Sequence, residues 1–419
     1  MKTLNIFVAS AVALLACGIA SAKDENTKHG TGALDKDTTG SFNTADGYRA
    51  LFGNTTGDYN AAIGFESLYS STTASGNTAV GANALFFNTT GNGNAATGYE
   101  ALYSNTSGYA NTANGWKALY ANTTGVSNTA TGEMALTSNT TGVGNTADGG
   151  GALNGNSTGG GNTATGVNAL YDNSTGSENT ADGSGALFYN AFGDSNTADG
   201  YGALNFNSTG NGNTAVGYNA LNANTGGNGN IAIGNNAGAS VTGSNDIDIG
   251  NQGMAADQGA IRIGTQGAQT QTFVAGIFGA TVAAGGVPVY VDGNGTLGTL
   301  TSSGRFKRDI EDMGSSSEAI LALRPVTFRY KPQIDPSGTR QFGLVAEEVE
   351  KISPDLVVYD SNHRVYSVRY EAVNAMLLNE FRKQHDRVEE QTRIIAEQQN
   401  AIAALTARLG ALEKASVNK

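Results

Sequence analysis

The hydrophobic and polar positions of this chain repeat every 17 residues over most of its length. The triplet Asn-Thr-Ala begins at Asn43, and its asparagine recurs without insertion as far as Asn230, with a degenerate copy at Asn26. The consensus N-T-A-x-G-x-x-A-L-x-x-N-T-T-G-x-x keeps alanine at the third place, glycine at the fifth and leucine at the ninth. A strict period in this range predicts a solenoid, in which each coil buries its apolar face against its neighbours.

Each coil is predicted to contain two short strands and two turns, because the repeat is too poor in helix-forming residues for a helical array. The first strand is N-T-A-x-G, and the second centres on the Ala-Leu pair, as in Ala84 and Leu85. The Asn-Thr-Thr-Gly segment from Asn88 to Gly91 is predicted to turn, with its glycine free to take a positive φ. Residues 26–241 therefore predict an all-β solenoid, a parallel β-roll of thirteen coils with an internal leucine ladder.

A single column of such coils buries little apolar surface. One alanine, one leucine and perhaps a threonine in each unit do not easily offset the entropy of ordering 17 residues. We therefore expect three rods to pack side by side as a homotrimer. The copies Asn-Ile-Ala-Ile-Gly at 230–234 and Asp-Ile-Asp-Ile-Gly at 246–250 resemble the head repeats of trimeric autotransporter adhesins, which form left-handed parallel β-rolls in trimers. The period of 17 is longer than the usual coil of that family.

Residues 242–300 are predicted to form a β-rich connector that also trimerises. The isoleucines of 247–263 alternate as in strands, and further strands are predicted at Gln271–Ile277 and Val287–Asp292. A turn is predicted at Asp292–Gly295.

The segment 376–416 carries a seam spaced alternately by four and three residues, which predicts five heptads of coiled coil. The seam consists of Leu377, Phe381, Gln384, Val388, Gln391, Ile395, Gln398, Ile402, Leu405, Leu409 and Leu412. Glutamine layers weaken such a coil but define its register, and they suit three strands better than two. A trimeric coiled coil is therefore predicted, in preference to a single amphipathic helix lying on its own domain.

Composition and charge exclude several classes of function. The net charge is −12 and glycine accounts for 59 residues, so binding to nucleic acid or to an anionic membrane surface is not expected. The single cysteine excludes a disulfide framework, and the three histidines, His29, His363 and His385, are scattered. We expect no cofactor, no metal site and no membrane span.

The first 22 residues have the pattern of a secretory signal peptide. Lys2 precedes an apolar run over 4–19, and Ala20-Ser21-Ala22 supplies small residues before the expected cleavage point. The alternative is a lipoprotein signal, in which Cys17 becomes the lipidated first residue. Either signal predicts export, to the cell surface, the outer membrane or the extracellular space.

From residue 302 the charged residues become frequent, and ordered motifs appear over 302–375. These are S-S-G-R-F-K-R-D-I at 302–310, L-R-P-V-T-F-R-Y at 323–330, Q-F-G-L-V-A-E-E-V at 341–349 and P-D-L-V at 354–357. Together they resemble the C-terminal intramolecular chaperone of endosialidase tailspikes, a self-cleaving serine-peptidase family of phage fibres and bacterial surface proteins. The resemblance implies a small α+β domain that acts as a chaperone and peptidase.

The resemblance also implies a catalytic Ser–Lys dyad. The family motif S-D-x-R-x-K places the nucleophile at Ser302, its base at Lys307 and a supporting residue at Arg305, whereas Ser303 and Gly304 depart from the motif. The bond cut would be Thr301–Ser302, once in each chain and only after three chains have assembled. The expected enzyme is an autoproteolytic serine endopeptidase with no turnover on other substrates. The alternative is an inert cap in which Lys307 merely pairs with Glu311.

The expected function is that of an exported homotrimeric surface fibre with an adhesive or structural rod. A surface glycan or a host receptor is the expected partner, and the aromatic residues of the repeat are expected either to pack between chains or to stack on sugars. Aspartates at the fourth repeat place, such as Asp46 and Asp148, are predicted to be half-exposed rather than catalytic. The alternatives are an uncleaved adhesin, an ice-binding solenoid with a threonine ladder, and a phage-type tail fibre.

Overall fold

The computed structural model describes residues 25–277, 280, 282, 286–360 and 362–417. The predicted signal peptide and Cys17 lie outside the described residues. The chain divides into two compact units, one ending at Thr272 and one beginning at Phe273, and each is described separately below.

The first unit is a parallel β-solenoid. Its sheet has 15 strands in the described part of the chain, paired in chain order. Each strand has three residues, and the strands are Thr27–His29 (β1), Thr44–Asp46 (β2), Ala61–Ile63 (β3), Thr78–Val80 (β4), Ala95–Thr97 (β5), Thr112–Asn114 (β6), Thr129–Thr131 (β7), Thr146–Asp148 (β8), Thr163–Thr165 (β9), Thr180–Asp182 (β10), Thr197–Asp199 (β11), Thr214–Val216 (β12), Ile231–Ile233 (β13), Ile247–Ile249 (β14) and Ile261–Ile263 (β15). The predicted solenoid is thus confirmed, and its sheet continues beyond residue 241 through β14 and β15.

The core of the solenoid is a narrow column of small apolar side chains. The central alanine of the strand points inward, as Ala45 does, while its two neighbours point outward. Each coil adds the Ala-Leu pair, such as Ala50 and Leu51, and these side chains are completely buried. Two alanines and one leucine therefore form the apolar core of each coil, and the threonine that we expected there is exposed.

The predicted second strand does not form. The Ala-Leu segment is a turn, in which leucine adopts a left-handed backbone, with φ of 51° at Leu51 and 53° at Leu85. This conformation costs a leucine about 1–2 kcal/mol. It is retained because it swings the side chain into the core and aims the Leu51 amide at the carbonyl oxygen of Ser67, 2.9 Å away in the next coil. Burial of the leucine side chain, about 2 kcal/mol, offsets the strain.

Glycine is required at two repeat positions for reasons that the sequence did not separate. The predicted turn glycine Gly91 does not take a positive φ; a Cβ there would lie 2.1 Å from the carbonyl oxygen of Gly108. The positive φ belongs to the glycine after the strand, such as Gly98 at 135°, whose Cβ would lie 2.3 Å from the carbonyl oxygen of Gly115. Close stacking of successive coils excludes a side chain at both positions.

Two ladders of buried asparagines run along the solenoid, and sequence reasoning missed them. At the first repeat position, Asn60 receives no solvent contact beyond 1%, and its backbone N–H donates to Oδ1 of Asn43 at 2.9 Å. At the twelfth position, Asn105 donates through Nδ2 to Oδ1 of Asn88 at 2.7 Å and to the carbonyl oxygen of Gly108 at 2.9 Å. Each asparagine thus bonds to the same residue of the adjacent coil, and the ladders supply the polar part of the core.

The last coils of the solenoid are shorter. Ile231 pairs with Ile247 and Ile247 pairs with Ile261, so the spacing falls below 17 residues as the repeat fades. The predicted strand Gln271–Ile277 does not form: this segment is irregular and exposed, because no neighbouring coil of the described chain covers it.

Asp248 occupies the buried alanine column near the end of this sheet. It lies between Ala232 and Arg262 in the register, and it is 1% exposed. Neither carboxylate oxygen has a hydrogen-bond partner within the described residues. Arg262 instead donates twice to Asp257, at 2.6 and 2.7 Å. Burial, reinforced by the carboxylates of Asp257 and Asp246, raises the pKa of Asp248 to about 6.

Replacing Asp248 by alanine is expected to stabilise the solenoid at pH 7 by about 2 kcal/mol, because a buried charge without a partner is removed. Alanine fills this position in β2 to β13, so it fits. The folded-state pKa lies above the ordinary 3.8, so the carboxyl group costs the native chain stability as the pH rises from about 4 to about 6. Urea denaturation of parent and variant at pH 4 and pH 7, followed by circular dichroism, measures this difference.

The control for this measurement is Asp199→Ala, which removes an exposed carboxylate from the outer face of β11. It should change stability by less than about 0.5 kcal/mol at either pH. An Asp248→Ala variant with the same stability difference from its parent at both pH values would contradict the assignment.

The second unit is a small mixed domain that continues into a long helix. Its strands form three antiparallel pairs: Tyr290–Val291 (β16) with Leu297–Gly298 (β17), Val326–Phe328 (β18) with Gln341–Gly343 (β19), and Val357–Tyr359 (β20) with Val365–Val368 (β21). The predicted turn after Asp292 joins the first pair. The α-helices are Ala346–Ile352 (α1) and Tyr370–Val417 (α2), and 3₁₀ helices span Gly304–Phe306, Gly314–Ala322 and Pro354–Leu356.

The domain core forms where α1, the β20–β21 hairpin and the first turns of α2 meet. Its buried side chains are Ile320, Val349, Leu356, Val357, Val368 and Met376. Beyond this core, α2 extends with its predicted seam exposed; Phe381 is 72% and Leu405 is 64% exposed. The helix is present, and its assembly into a coiled coil remains a prediction.

Candidate active site

The predicted dyad lies on a tight 3₁₀ turn. Ser303 precedes this turn, and its carbonyl oxygen accepts the amide N–H of Phe306 at 3.0 Å. The next bond of the turn joins the amide of Lys307 to the carbonyl oxygen of Gly304 at 3.1 Å. A reversal of this size returns the chain on itself within five residues, so that Lys307 lies next to Ser302.

The structure brings the two predicted catalytic side chains together. The amine of Lys307 donates to Oγ of Ser302 at 3.2 Å, which is within hydrogen-bond reach of a nucleophile and its base. Glu311, the alternative partner, is not the group that this amine contacts through that bond. Both members of the pair are exposed, as is Thr301 at the expected cleavage point.

Arg305 and Arg308 do not face the dyad through any ion pair of the described residues. The guanidinium of Arg305 lies over the ring of Phe306, 4.6 Å from its centre. Arg308 pairs with its neighbour Asp309 at 3.6 Å, and both side chains are almost fully exposed. The supporting role expected for Arg305 is therefore indirect in a single chain.

The geometry of one chain supplies only part of what the chemistry needs. A lysine can take a proton from serine only when desolvation or nearby positive charge lowers its pKa. Ser302 and Lys307 are positioned for proton transfer, but water surrounds them in one chain. An additional protein surface would have to cover the pair.

A polar cluster that sequence reasoning missed ties the 3₁₀ helix Gly314–Ala322 to α2. Buried Ser317 donates from Oγ to Glu380 at 2.5 Å and accepts from Nδ2 of Asn379 at 2.7 Å. Lys383 donates to Glu380 at 2.7 Å, which lowers the pKa of Glu380 and raises the pKa of Lys383. The spacing of these helix residues places them on one face, and that spacing was the signal available in the sequence.

The glycine of the Q-F-G-L motif has a packing role. A Cβ on Gly343 would lie 2.8 Å from the hydroxyl oxygen of Tyr370 at the start of α2. That hydroxyl accepts the backbone N–H of Leu344 at 3.1 Å. The motif therefore joins β19 to the long helix, next to the core of the domain.

The aromatic residues of the rod form ladders within one chain. Ring centroids of Phe52 and Tyr69 are 5.2 Å apart, and those of Tyr103 and Tyr120 are 5.2 Å apart, in stacked geometry. The amine of Lys117 lies 4.9 Å above the ring of Trp116. The rings thus contact neighbours of their own chain, and packing between chains is untested.

The threonine rows at the predicted Asn-Thr-Thr-Gly turn are used for coil stacking. The hydroxyl of Thr55 donates to the carbonyl oxygen of Thr72 at 2.9 Å, and Thr123 donates to Thr140 at 3.0 Å. A hydroxyl proton engaged in this way is not available to solvent. The aspartates of the fourth place, including Asp148 and Asp182, are exposed rather than half-exposed.

One groove on the rod has the composition of a ligand-binding surface. Its volume is about 350 Å³. It is lined by the aromatic rings of Phe188 and Tyr201, by Ser184, Gly185 and Gly202, and by the amides of Asn168, Asn205, Asn219 and Asn222.

Neither metal chemistry nor a transmembrane helix is indicated by the described part of the chain. No group of three or more histidine, cysteine, aspartate or glutamate side chains there is arranged to hold a metal ion. None of its helices combines the length and hydrophobicity that crossing a bilayer requires.

Comparison with known proteins identifies the class of the C-terminal domain. The family model described as chaperone of endosialidase matches residues 302–358. Neither the curated proteins nor the solved structures contain a match to the chain. The molecule is therefore a parallel β-solenoid followed by an endosialidase-chaperone domain. A domain of this kind implies trimeric assembly and a tail-fibre-like protein with an intramolecular chaperone.

Proposed function

We propose that this protein is an exported homotrimeric fibre whose C-terminal domain aligns three rods and then cuts itself off between Thr301 and Ser302. One observation carries the proposal. The segment that matches the endosialidase chaperone family opens at Ser302, and the amine of Lys307 lies 3.2 Å from its hydroxyl oxygen.

The exposed seam of α2 supports the homotrimer. Its apolar members repeat in a coiled-coil pattern and remain in water in one chain; Val388, Ile395 and Ile402 are 47%, 52% and 62% exposed. Two further copies of the same helix would cover them. The glutamine layers of this seam would keep the three chains in register.

The proposed cleavage uses groups of this chain alone. Lys307 accepts the proton of Ser302 Oγ, and the oxygen attacks the carbonyl carbon of Thr301. The C–O bond forms, the C–N bond breaks, and the proton passes to the released amine of Ser302. Water then hydrolyses the ester, giving a carboxylate at Thr301 and restoring the hydroxyl. Assembly would provide the surface that excludes solvent from the pair.

An adhesive role for the rod is supported by the groove beside Phe188 and Tyr201. Aromatic faces with neighbouring amides suit a sugar, which presents apolar ring faces and hydroxyl groups. We propose a surface glycan or a glycosylated receptor as the partner. The ice-binding alternative is less well supported, because one row of threonine hydroxyls is used between coils. The predicted signal peptide favours a cell-surface fibre over a phage-type fibre.

The test is to express the full chain in a host that exports it and to measure native mass and fragment N-termini. We expect a trimer, and two polypeptides, one of which begins at Ser302. An intact trimer would leave the uncleaved adhesin as the function. An intact monomer would reject the proposal entirely.

A further inference from the structure

The outward face of the solenoid sheet changes character at its C-terminal end. In each strand, the first and third residues point outward and the second points into the core. Threonine and aspartate are frequent at these outward positions from β2 to β12, as in Thr180 and Asp182. In β13, β14 and β15 every outward position is isoleucine.

These six residues form one continuous surface, which we call the isoleucine patch: Ile231, Ile233, Ile247, Ile249, Ile261 and Ile263. The register aligns them in two columns of three, and parallel strands lie about 4.8 Å apart.

The patch is exposed to solvent in a single chain. Exposure is 44% at Ile233, 68% at Ile261 and 72% at Ile263. A contiguous apolar patch on a face that is otherwise polar marks an interaction surface.

We infer that the isoleucine patch is the contact between the rods of three copies of this chain, and that this contact does not extend along the N-terminal strands. The inference rests on the proposed homotrimer and locates its interface on the solenoid. It replaces side-by-side packing along the whole rod with contact at one end.

Charge on the same face favours this restriction. Asp46, Asp148, Asp182 and Asp199 lie exposed in the column that becomes isoleucine in β13. Three identical copies brought together there would place like charges close to one another, which is unfavourable. The outward positions of β13, β14 and β15 carry no charge, so three copies of the patch are compatible with one another.

The position of the patch in the chain also favours a second copy as its occupant. It occupies the last three strands of the sheet, immediately before the segment that leads to the chaperone domain. Chains held together by that domain are brought close first at this end. An apolar contact here would keep the rods joined after the domain is released.

Disulfide cross-linking of single cysteines tests the inference in the full chain. In a Cys17→Ser background, Ile249→Cys introduces one thiol in the patch, and Thr131→Cys introduces one in the same column of β7. Under mild oxidation, we expect Ile249→Cys to give covalent dimers on denaturing gels and Thr131→Cys to remain uncross-linked. Native mass is measured on the same samples before oxidation.

The outcomes separate this inference from the proposed function. A native trimer in which Ile249→Cys does not cross-link overturns the inference and leaves the trimer intact; cover by the chain's own connector would give this result. Equal cross-linking at both positions would also overturn it, in favour of full-length packing. A native monomer would reject the inference together with the trimer.

A second pair of variants tests the same surface without oxidation. Ile249→Thr combined with Ile261→Thr places the residue typical of the other strands in the patch, and the rod fragment ending at Thr301 should dissociate at least tenfold more readily. Ile63→Thr, a change of the same kind in the same outward column, should not alter its dissociation. An effect of equal size from Ile63→Thr would contradict the inference.

Discussion

Replacing Asn122 by alanine is expected to lower the free energy of unfolding of the solenoid by about 3 kcal/mol, because it leaves buried partners unsatisfied. Asn122 donates to Oδ1 of Asn105 at 2.8 Å and to the carbonyl oxygen of Gly125 at 3.1 Å. Its own Oδ1 accepts from Asn139 at 2.8 Å. Urea denaturation followed by far-ultraviolet circular dichroism measures the loss.

Thr124→Ala is the matched control, since Thr124 lies in the same turn with its side chain exposed. It should change the free energy of unfolding by less than about 0.5 kcal/mol. If Asn122→Ala were equally mild, the ladder would not contribute as the contacts imply.

The same ladder offers a test in the opposite direction. Ser71 interrupts it, and Oδ1 of Asn54 and Oγ of Ser71 are both buried without a hydrogen-bond partner within the described residues. Ser71→Asn should restore the row and raise stability by about 1 kcal/mol. A loss of stability in this variant would mean that the coil cannot accommodate the larger side chain there.

Replacing Ser302 by alanine is expected to abolish the proposed self-cleavage while the trimer still assembles, because only the nucleophile is removed. Lys307→Met should reduce the rate at least about 100-fold, since the proton acceptor is lost. Lys307→Arg is the sharper variant, because a guanidinium retains the positive charge but does not give up its proton. Intact mass and N-terminal sequencing after assembly measure the outcome.

Arg308→Gln serves as the control for these variants. Arg308 is 95% exposed and pairs with an exposed aspartate, so its loss should leave cleavage unchanged. Normal cleavage in Lys307→Arg would reject lysine as the base. Loss of the trimer in Ser302→Ala would point to a role of this serine in assembly rather than in bond cleavage.

The repeat determined the solenoid and its stacking axis without any structure. A period of 17 with an invariant leucine leaves few arrangements other than identical coils in register, and the strand at Thr-Ala-x was predicted correctly. The motifs after residue 301 likewise identified the chaperone domain, which the family match over 302–358 supports. The proximity of Ser302 and Lys307 was expected from a resemblance, and their spacing alone did not establish it.

The inner organisation of each coil depended on tertiary structure. An Ala-Leu pair has the composition of a strand, and only stacking against the next coil explains a leucine such as Leu51 in the left-handed region. Asparagine has a high turn propensity, which hid the ladders at Asn60 and Asn105: an amide is buried only where the adjacent coil supplies its partner.

The sequence by itself therefore determined the period, the parallel strand, the boundary near residue 302 and the helical seam. Each of these follows from patterns that neighbouring residues or identical repeats impose. The tertiary structure decided which glycines must lack a side chain, where the amides bond, why Asp248 is uncompensated and which end of the sheet is apolar on the outside. These features depend on atoms that are distant in the chain and meet only when one coil packs on another.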